Sequence, residues 1–328
     1  MRLAAFIEEN KKNWLLFEDI LNKRKRIDPE KLTELYISIS DNLSYAATYF
    51  PDSDIVPYLN NLASKAHQKI YRNKYEGGNR MYRFFKEEFP LHFYHYRKYL
   101  LISFLIFVFF AFTGWYSVYN DESFVRLILG DAYVNMTLEN IDKGDPMAVY
   151  KQGSSLNMFL GITINNIMVA VKAFALGVFL GIGTLYIMMY NGVMLGSFLA
   201  FFAKKGLLWE SFRTIWIHGT IEIFMIIMAG AAGLVLGASL LFPGTYTRLE
   251  SFKRGAKSGL KILVSTIPFF IIAGFLEGFV TKHTEMPDFL ALFIIFGSLI
   301  LVVYYYVFYP VKVYKKHKAK SERNFKNL

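Results

Sequence analysis

A histidine and a glutamate stand four residues apart in IWIHGTIEIF, residues 215–224, and the charge-free run IIMAGAAGLVLG follows them. On a helix, residues i and i+4 share a face, so His218 and Glu222 point the same way. A charge at the centre of a membrane helix costs about 2.5–3.5 kcal/mol, so both side chains call for partners. Four further polar residues sit in apolar runs: Asn165, Asn166, Lys172 and Glu277. Placed at one depth, the six form an intramembrane polar cluster on three helices. Three chemistries fit these residue types. In a structural network, Lys172 neutralises one glutamate while the asparagines and the histidine satisfy the remainder. In a proton- or ion-handling site, two carboxylates in a low dielectric compete for protons and the histidine titrates near neutrality. In a metal site, histidine, the i+4 glutamate and a carboxylate from another helix suit zinc. Lys172 opposes the metal, and HGTIE is not the HExxH pattern of zinc proteases. The expectation is no metal, no cofactor and no catalytic residue. The other histidines, His67, His92, His95, His283 and His317, lack partners at ligand spacing and read as structural.

The elements that must position this group follow from composition. Of 328 residues, 54% are hydrophobic, yet the net charge is +11. An apolar chain with a basic excess is a membrane protein with cationic loops. The cations flank apolar spans and form no aromatic-studded basic face, which argues against nucleic acid. There is no cysteine, so disulfides and thiol chemistry are excluded. MRLAAFIEENKKNW lacks the apolar run of a secretory signal. The fold class is an all-α integral membrane protein with a cytoplasmic helical bundle at residues 1–79. Stripes at Trp14, Leu15, Phe17, Ile20 and Leu21, at Leu32, Leu35, Tyr36 and Ile39, and at Tyr58, Leu59, Leu62, Ala66 and Ile70 predict three helices there, with a break at Ile27-Asp28-Pro29. Residues 80–98, basic and aromatic, read as an interfacial elbow helix. Residues 99–310 form the polytopic domain, and 311–328 a basic tail.

Six spans are expected, near 99–118, 164–189, 193–203, 220–241, 260–280 and 289–308. The turn signal Asn191-Gly192 closes the second, which leaves the third short. It either crosses or is re-entrant, with GLLWESFRTIW as an interfacial helix, giving five spans plus a re-entrant segment. The segment after the first span is acidic (Asp121, Glu122, Asp131, Glu139, Asp142, Asp145) and carries a short amphipathic helix at Phe124, Leu127 and Ile128. The elbow, the loop 248–261 and the tail are basic, which places both termini on the cytoplasmic side of the membrane. Lys204 and Lys205 then fall outside. Pro268 predicts a kink.

Spans two to five each carry a Gly-x-x-x-Gly pair: Gly177/Gly181, Gly192/Gly196, Gly233/Gly237 and Gly274/Gly278. Small residues let helix backbones approach closely in lipid. The expectation is a tight core of spans two to five, with one and six outside it. Asn191-Gly192 and Pro243-Gly244, closing spans two and four, also suggest a parallel repeat of two hairpins.

Long patterns then carry a resemblance: LTELYISISDNLSYAATYFPDSDIVPYLNNLASKAHQKIYR, NNIMVAVKAFALG, YNGVMLG, HGTIEIFMIIMAGAAGLVLG and IIAGFLEGFVT. In this order they resemble the stage II sporulation protein M family, in its long form. Ile217 departs from relatives, which commonly carry proline before His-Gly, and Lys172 is also unusual. The resemblance implies a membrane scaffold that recruits envelope-remodelling enzymes and is not itself an enzyme. It also implies an AAA-type ATPase or other envelope proteins as partners at the cytoplasmic domain, beside membrane lipids, with a homo-oligomer left open. The residues by themselves equally allow a transporter, channel or lipid translocator, and thirdly an intramembrane metal-dependent hydrolase.

Overall fold

The computed structural model describes residues 2–22, 29–73, 80–151 and 153–326. Among them every regular element is a helix. The chain divides into two compact units, Met1–Arg80 and Met81–Leu328.

The first unit holds α1 (Leu3–Asn22), α2 (Pro29–Tyr49) and α3 (Ile55–Asn73). Its core is Phe6, Trp14, Phe17, Ile39, Ala46, Leu59, Leu62 and Ala66. Phe6 and Trp14 meet with ring centroids 5.6 Å apart, and Asn42 donates to Asn10 at 3.2 Å. Leu15, expected on the apolar stripe, is exposed. It is adjacent to Trp14, and consecutive positions on a helix point about 100° apart. Ile27-Asp28 and the side chains of Leu32 and Ile70 lie outside the described residues.

The second unit begins with a broken elbow: α4 (Arg80–Arg83), a π-helical turn at Phe84–Glu88, and α5 (Phe89–Tyr94). Phe89 and Phe93 are fully buried against Tyr306. The hydroxyls of Tyr305 and Tyr309 donate to the carbonyls of Phe85 and Lys86, each at 2.9 Å. His92 lies on the elbow with Nε2 buried and unpartnered.

Then come α6 (Arg97–Asn120), α7 (Ser123–Leu129), α8 (Asp131–Asp142), α9 (Ser155–Ala175), α10 (Ile182–Lys204), α11 (Leu208–Leu241), α12 (Arg248–Phe275), α13 (Asp288–Val303) and α14 (Tyr309–Lys326). A 3-10 turn at Leu176–Val178 extends α9, and π turns at Leu276–Thr281 and Tyr304–Phe308 follow α12 and α13. Six helices are long and apolar enough to cross a membrane: Arg97–Asn120, Ser155–Val178, Ile182–Lys204, Leu208–Leu241, Arg248–Thr281 and Asp288–Ala319.

Several sequence expectations change. The break between the second and third spans is at Phe179–Gly181, where Leu180 and Gly181 take positive φ of 54° and 86°, and not at Asn191-Gly192. Those two residues are buried inside α10. Asn191 spends its side chain on the Ile187 carbonyl at 2.8 Å, so its turn chemistry is absorbed by the helix. The third span is therefore full length, and neither the re-entrant alternative nor the turn that closed the first hairpin of the repeat holds. GLLWESFRTIW is not a separate interfacial helix. α11 begins at Leu208, inside this stretch, and runs unbroken for 34 residues, and Ile217, where a proline would interrupt the ladder, is buried against Ala291 and Ile295. The basic loop 248–261 is the opening of α12, which Thr247 caps by accepting from Glu250 N–H. In the acidic segment after the first span Val125 is buried and Leu127 exposed.

The glycines set the packing. A Cβ at Gly177 would strike the Gly233 carbonyl, one at Gly233 the Ala173 carbonyl, and one at Gly237 the backbone of Gly181. Gly274 abuts the Thr163 hydroxyl, and Gly278 lies against Ser155 and Phe159. Gly192 and Gly196 face Phe107 and Ala111 of α6, and Gly114 of α6 faces Val193. The first span is thus inside the glycine-locked core, not outside it. α11 is its centre: 67% of its most apolar stretch is buried, against 22% in the first, second and sixth spans. Lys204 is 3.4 Å from Glu122.

Gly196→Leu should over-pack the α6–α10 contact, at a cost on the order of 1–3 kcal/mol. Gly297→Leu, where a side chain meets open space, should be neutral. Thermal melts of both in one detergent check this; equal melting points would refute the close approach. His92 gives the fold a pH dependence. Burial, then Lys261, His95 and Lys257, hold its pKa down at about 4 against an ordinary 6.5. Between those values the unfolded chain takes up a proton that the fold refuses, so stability falls as pH drops from about 6.5 towards 4. His92→Gln should flatten the fall in melting temperature between pH 7 and pH 5; an unchanged slope would assign the acid sensitivity elsewhere.

Candidate functional site

Backbone contact between helices fixes the depth of each polar residue. Ala173, Gly177 and Gly181 lie against Gly233 and Gly237 in the same order, so α9 and α11 run side by side in one direction. Asn166 stands eleven residues before Gly177, and Glu222 eleven before Gly233, which makes them level. α12 runs the other way, with Gly274 at Thr163 and Gly278 at Ser155 and Phe159. That brings Glu277 to the same end of the bundle.

His218, Glu222 and Glu277 come together: one ligand atom from each lies within 4.8 Å of the other two. His218 is 4% exposed, and both glutamates are half-buried. His218 Nε2 is 3.6 Å from Glu277 Oε2, and its Nδ1 is 3.0 Å from Thr281 Oγ1. The Thr281 hydroxyl donates to the Leu276 carbonyl at 3.2 Å, so its oxygen is free to accept. Donor accounting therefore puts a proton on Nδ1, and Nε2 is the nitrogen turned towards Glu277. Glu277 and Thr281 both belong to the π-helical turn at Leu276–Thr281, a local widening that often marks functional positions. Asn166 is 5% exposed, with Nδ2 buried and unpartnered. Its amide faces Glu222 without reaching hydrogen-bonding geometry.

Two expected members stand apart. Lys172 is exposed and, among the described residues, makes no ion pair with either glutamate. α9 ends at Ala175, which puts Lys172 in its last turn, six residues past Asn166 and exposed. Asn165 is exposed too and reaches only Asn166, its Nδ2 3.4 Å from Oδ1. The eight glycines do not line the cluster; they position the helices that carry it.

Two residues were missed. Thr281 could have been found, since it follows Glu277 by four. Tyr150 could not, because it arrives from the short 3-10 helix Ala148–Lys151, in the acidic segment after the first span. Its ring centroid is 5.8 Å from that of His218. Burial, then Tyr133, Glu277 and Glu222, push its phenol well above the usual range, so it remains a neutral donor. Two cavities, of about 300 and 360 Å³, lie elsewhere: one beside Glu122 and Lys204, the other between Tyr96, Tyr246 and Arg254.

Residues 103–282 match the family model of stage II sporulation protein M. Residues 4–72 match a domain of unknown function (DUF8413). No curated protein matches the chain, and no solved structure does.

Thr281→Val should strand the buried His218 Nδ1–H and cost about 1–3 kcal/mol, whereas Thr281→Ser should restore most of it. A melt in which valine and serine behave alike would show that the hydroxyl does not hold the ring.

Proposed function

The chain belongs to the stage II sporulation protein M family, and on that premise we propose that it is a non-catalytic organiser in an envelope-related membrane complex. The observation that carries this reading is the helical unit Met1–Arg80, which has a hydrophobic core of its own. Such a unit is suited to recruiting a soluble partner, and an AAA-type ATPase or an envelope enzyme is the class proposed. The site is the plasma membrane of a prokaryote, with both termini cytoplasmic. The charge distribution supports this orientation. Arg80, Arg83, Lys86, Arg97 and Lys98 flank the first span, and Arg248, Lys253, Arg254, Lys257 and Lys261 open α12. Asp121, Glu122, Asp131, Glu139, Asp142 and Asp145 lie beyond the opposite end of the first span.

On this reading the polar cluster serves the fold, and the N-terminal unit serves the function. A chain lacking residues 1–79 should insert and melt like the full chain but fail to rescue the envelope defect of a strain without the protein. Glu222→Gln, wherever it folds, should rescue. A folded Glu222→Gln chain that cannot rescue, joined with substrate flux through the wild-type chain in liposomes, would replace the organiser by a transporter.

A further inference from the structure

Two carboxylates and an imidazole face one another inside the bundle, and the cation expected to neutralise them is on its outer surface. Lys172 was the sequence's argument against a metal, and the structure removes it. With Lys172 outside, Glu222 and Glu277 bring a formal charge of −2 to a place where isolated charge is expensive. A divalent cation cancels it.

We propose that His218, Glu222 and Glu277 bind one divalent transition metal ion of the zinc class, which cross-links α11 to the π turn after α12. Four observations support it. First, the donor set, one imidazole nitrogen and two carboxylate oxygens, is of a kind zinc accepts. Second, the spacing is close: zinc bonds of about 2.0–2.2 Å hold tetrahedral ligand atoms about 3.4 Å apart. His218 Nε2 and Glu277 Oε2 are at 3.6 Å already, and all three ligand atoms fit within 4.8 Å. Third, His218 is oriented as metal-bound histidines are, with Nδ1 hydrogen-bonded to an outer partner, Thr281 at 3.0 Å, and the other nitrogen free to ligate. Fourth, the buried amide of Asn166, without a partner at Nδ2, lies beside Glu222, where it can donate to a water in the fourth coordination position. The proposal stands whether or not the organiser reading does, since a cross-link of this kind tests through metal content and not through the envelope.

The test is metal analysis of the full chain, purified without a polyhistidine tag and without chelators. Mass spectrometry of the digested protein should find about one equivalent of a divalent transition metal, zinc first, per chain. His218→Ala and Glu277→Gln should reduce it at least tenfold, and His283→Ala, outside the cluster, should leave it unchanged. If the two cluster variants fail to fold, the wild-type chain decides alone. It is stripped with chelator and titrated with zinc; it should recover one equivalent and several degrees of melting temperature. Zinc absorption spectroscopy should then show one nitrogen neighbour and the remainder oxygen at about 2.0–2.2 Å. Less than a tenth of an equivalent in the zinc-repleted wild-type chain would overturn the proposal. So would full metal content in folded His218→Ala and Glu277→Gln chains.

Discussion

The approach of one helix backbone to another at glycine is the contact on which everything else here depends. Lipid tails are as apolar as leucine side chains, so burying apolar surface does little to draw membrane helices together. What remains is close contact, and close contact needs positions without a Cβ. Gly177, Gly233 and Gly237 lock the second span to the fourth, Gly274 and Gly278 the fifth to the second, and Gly114, Gly192 and Gly196 the first to the third. These contacts fix rotation and depth together, because each glycine meets a particular carbonyl or backbone atom and not merely a surface.

Depth is what creates the polar site. Once Gly233 is seated against Ala173 and Gly177, Glu222 is level with Asn166. Once Gly278 lies against Phe159, Glu277 is carried to His218. The π turn at Leu276–Thr281 then presents two side chains, Glu277 and Thr281, to the two nitrogens of one imidazole. A polar group assembled in this way is held by helices that are themselves rigidly locked. That is the condition under which several buried polar groups can be brought to short, defined distances.

Much of this was legible in the sequence. Length and hydropathy gave six spans, since an apolar helix of about twenty residues has one good solution in a bilayer. The Gly-x-x-x-Gly pairs were visible because their function is a property of residue size at a fixed period. His218 and Glu222 were paired by helical geometry alone. The errors share a cause. Asn191-Gly192 has the chemistry of a turn, yet the chain turns at Phe179–Gly181, where no strong turn signal stands. Gly192 was needed against Phe107, and a buried contact outweighs a local preference. Lys172 looked like the natural partner of two glutamates, but which way it faces depends on where α9 ends and which side of it is packed.

The sequence by itself determined the class of fold, the separate helical unit, the helix faces that could approach closely and the pair His218/Glu222. All of these are local: they follow from residue size, charge and spacing within one helix. The tertiary structure decided which helices those faces meet, that the first span joins the locked core, that Glu277, Thr281 and Tyr150 converge on His218, that Asn166 lies beside Glu222, and that Lys172 stands apart. Those outcomes are relations between residues dozens of positions apart. They are set by the register and rotation of one helix against another, and one helix's sequence does not specify them until its partner is in place.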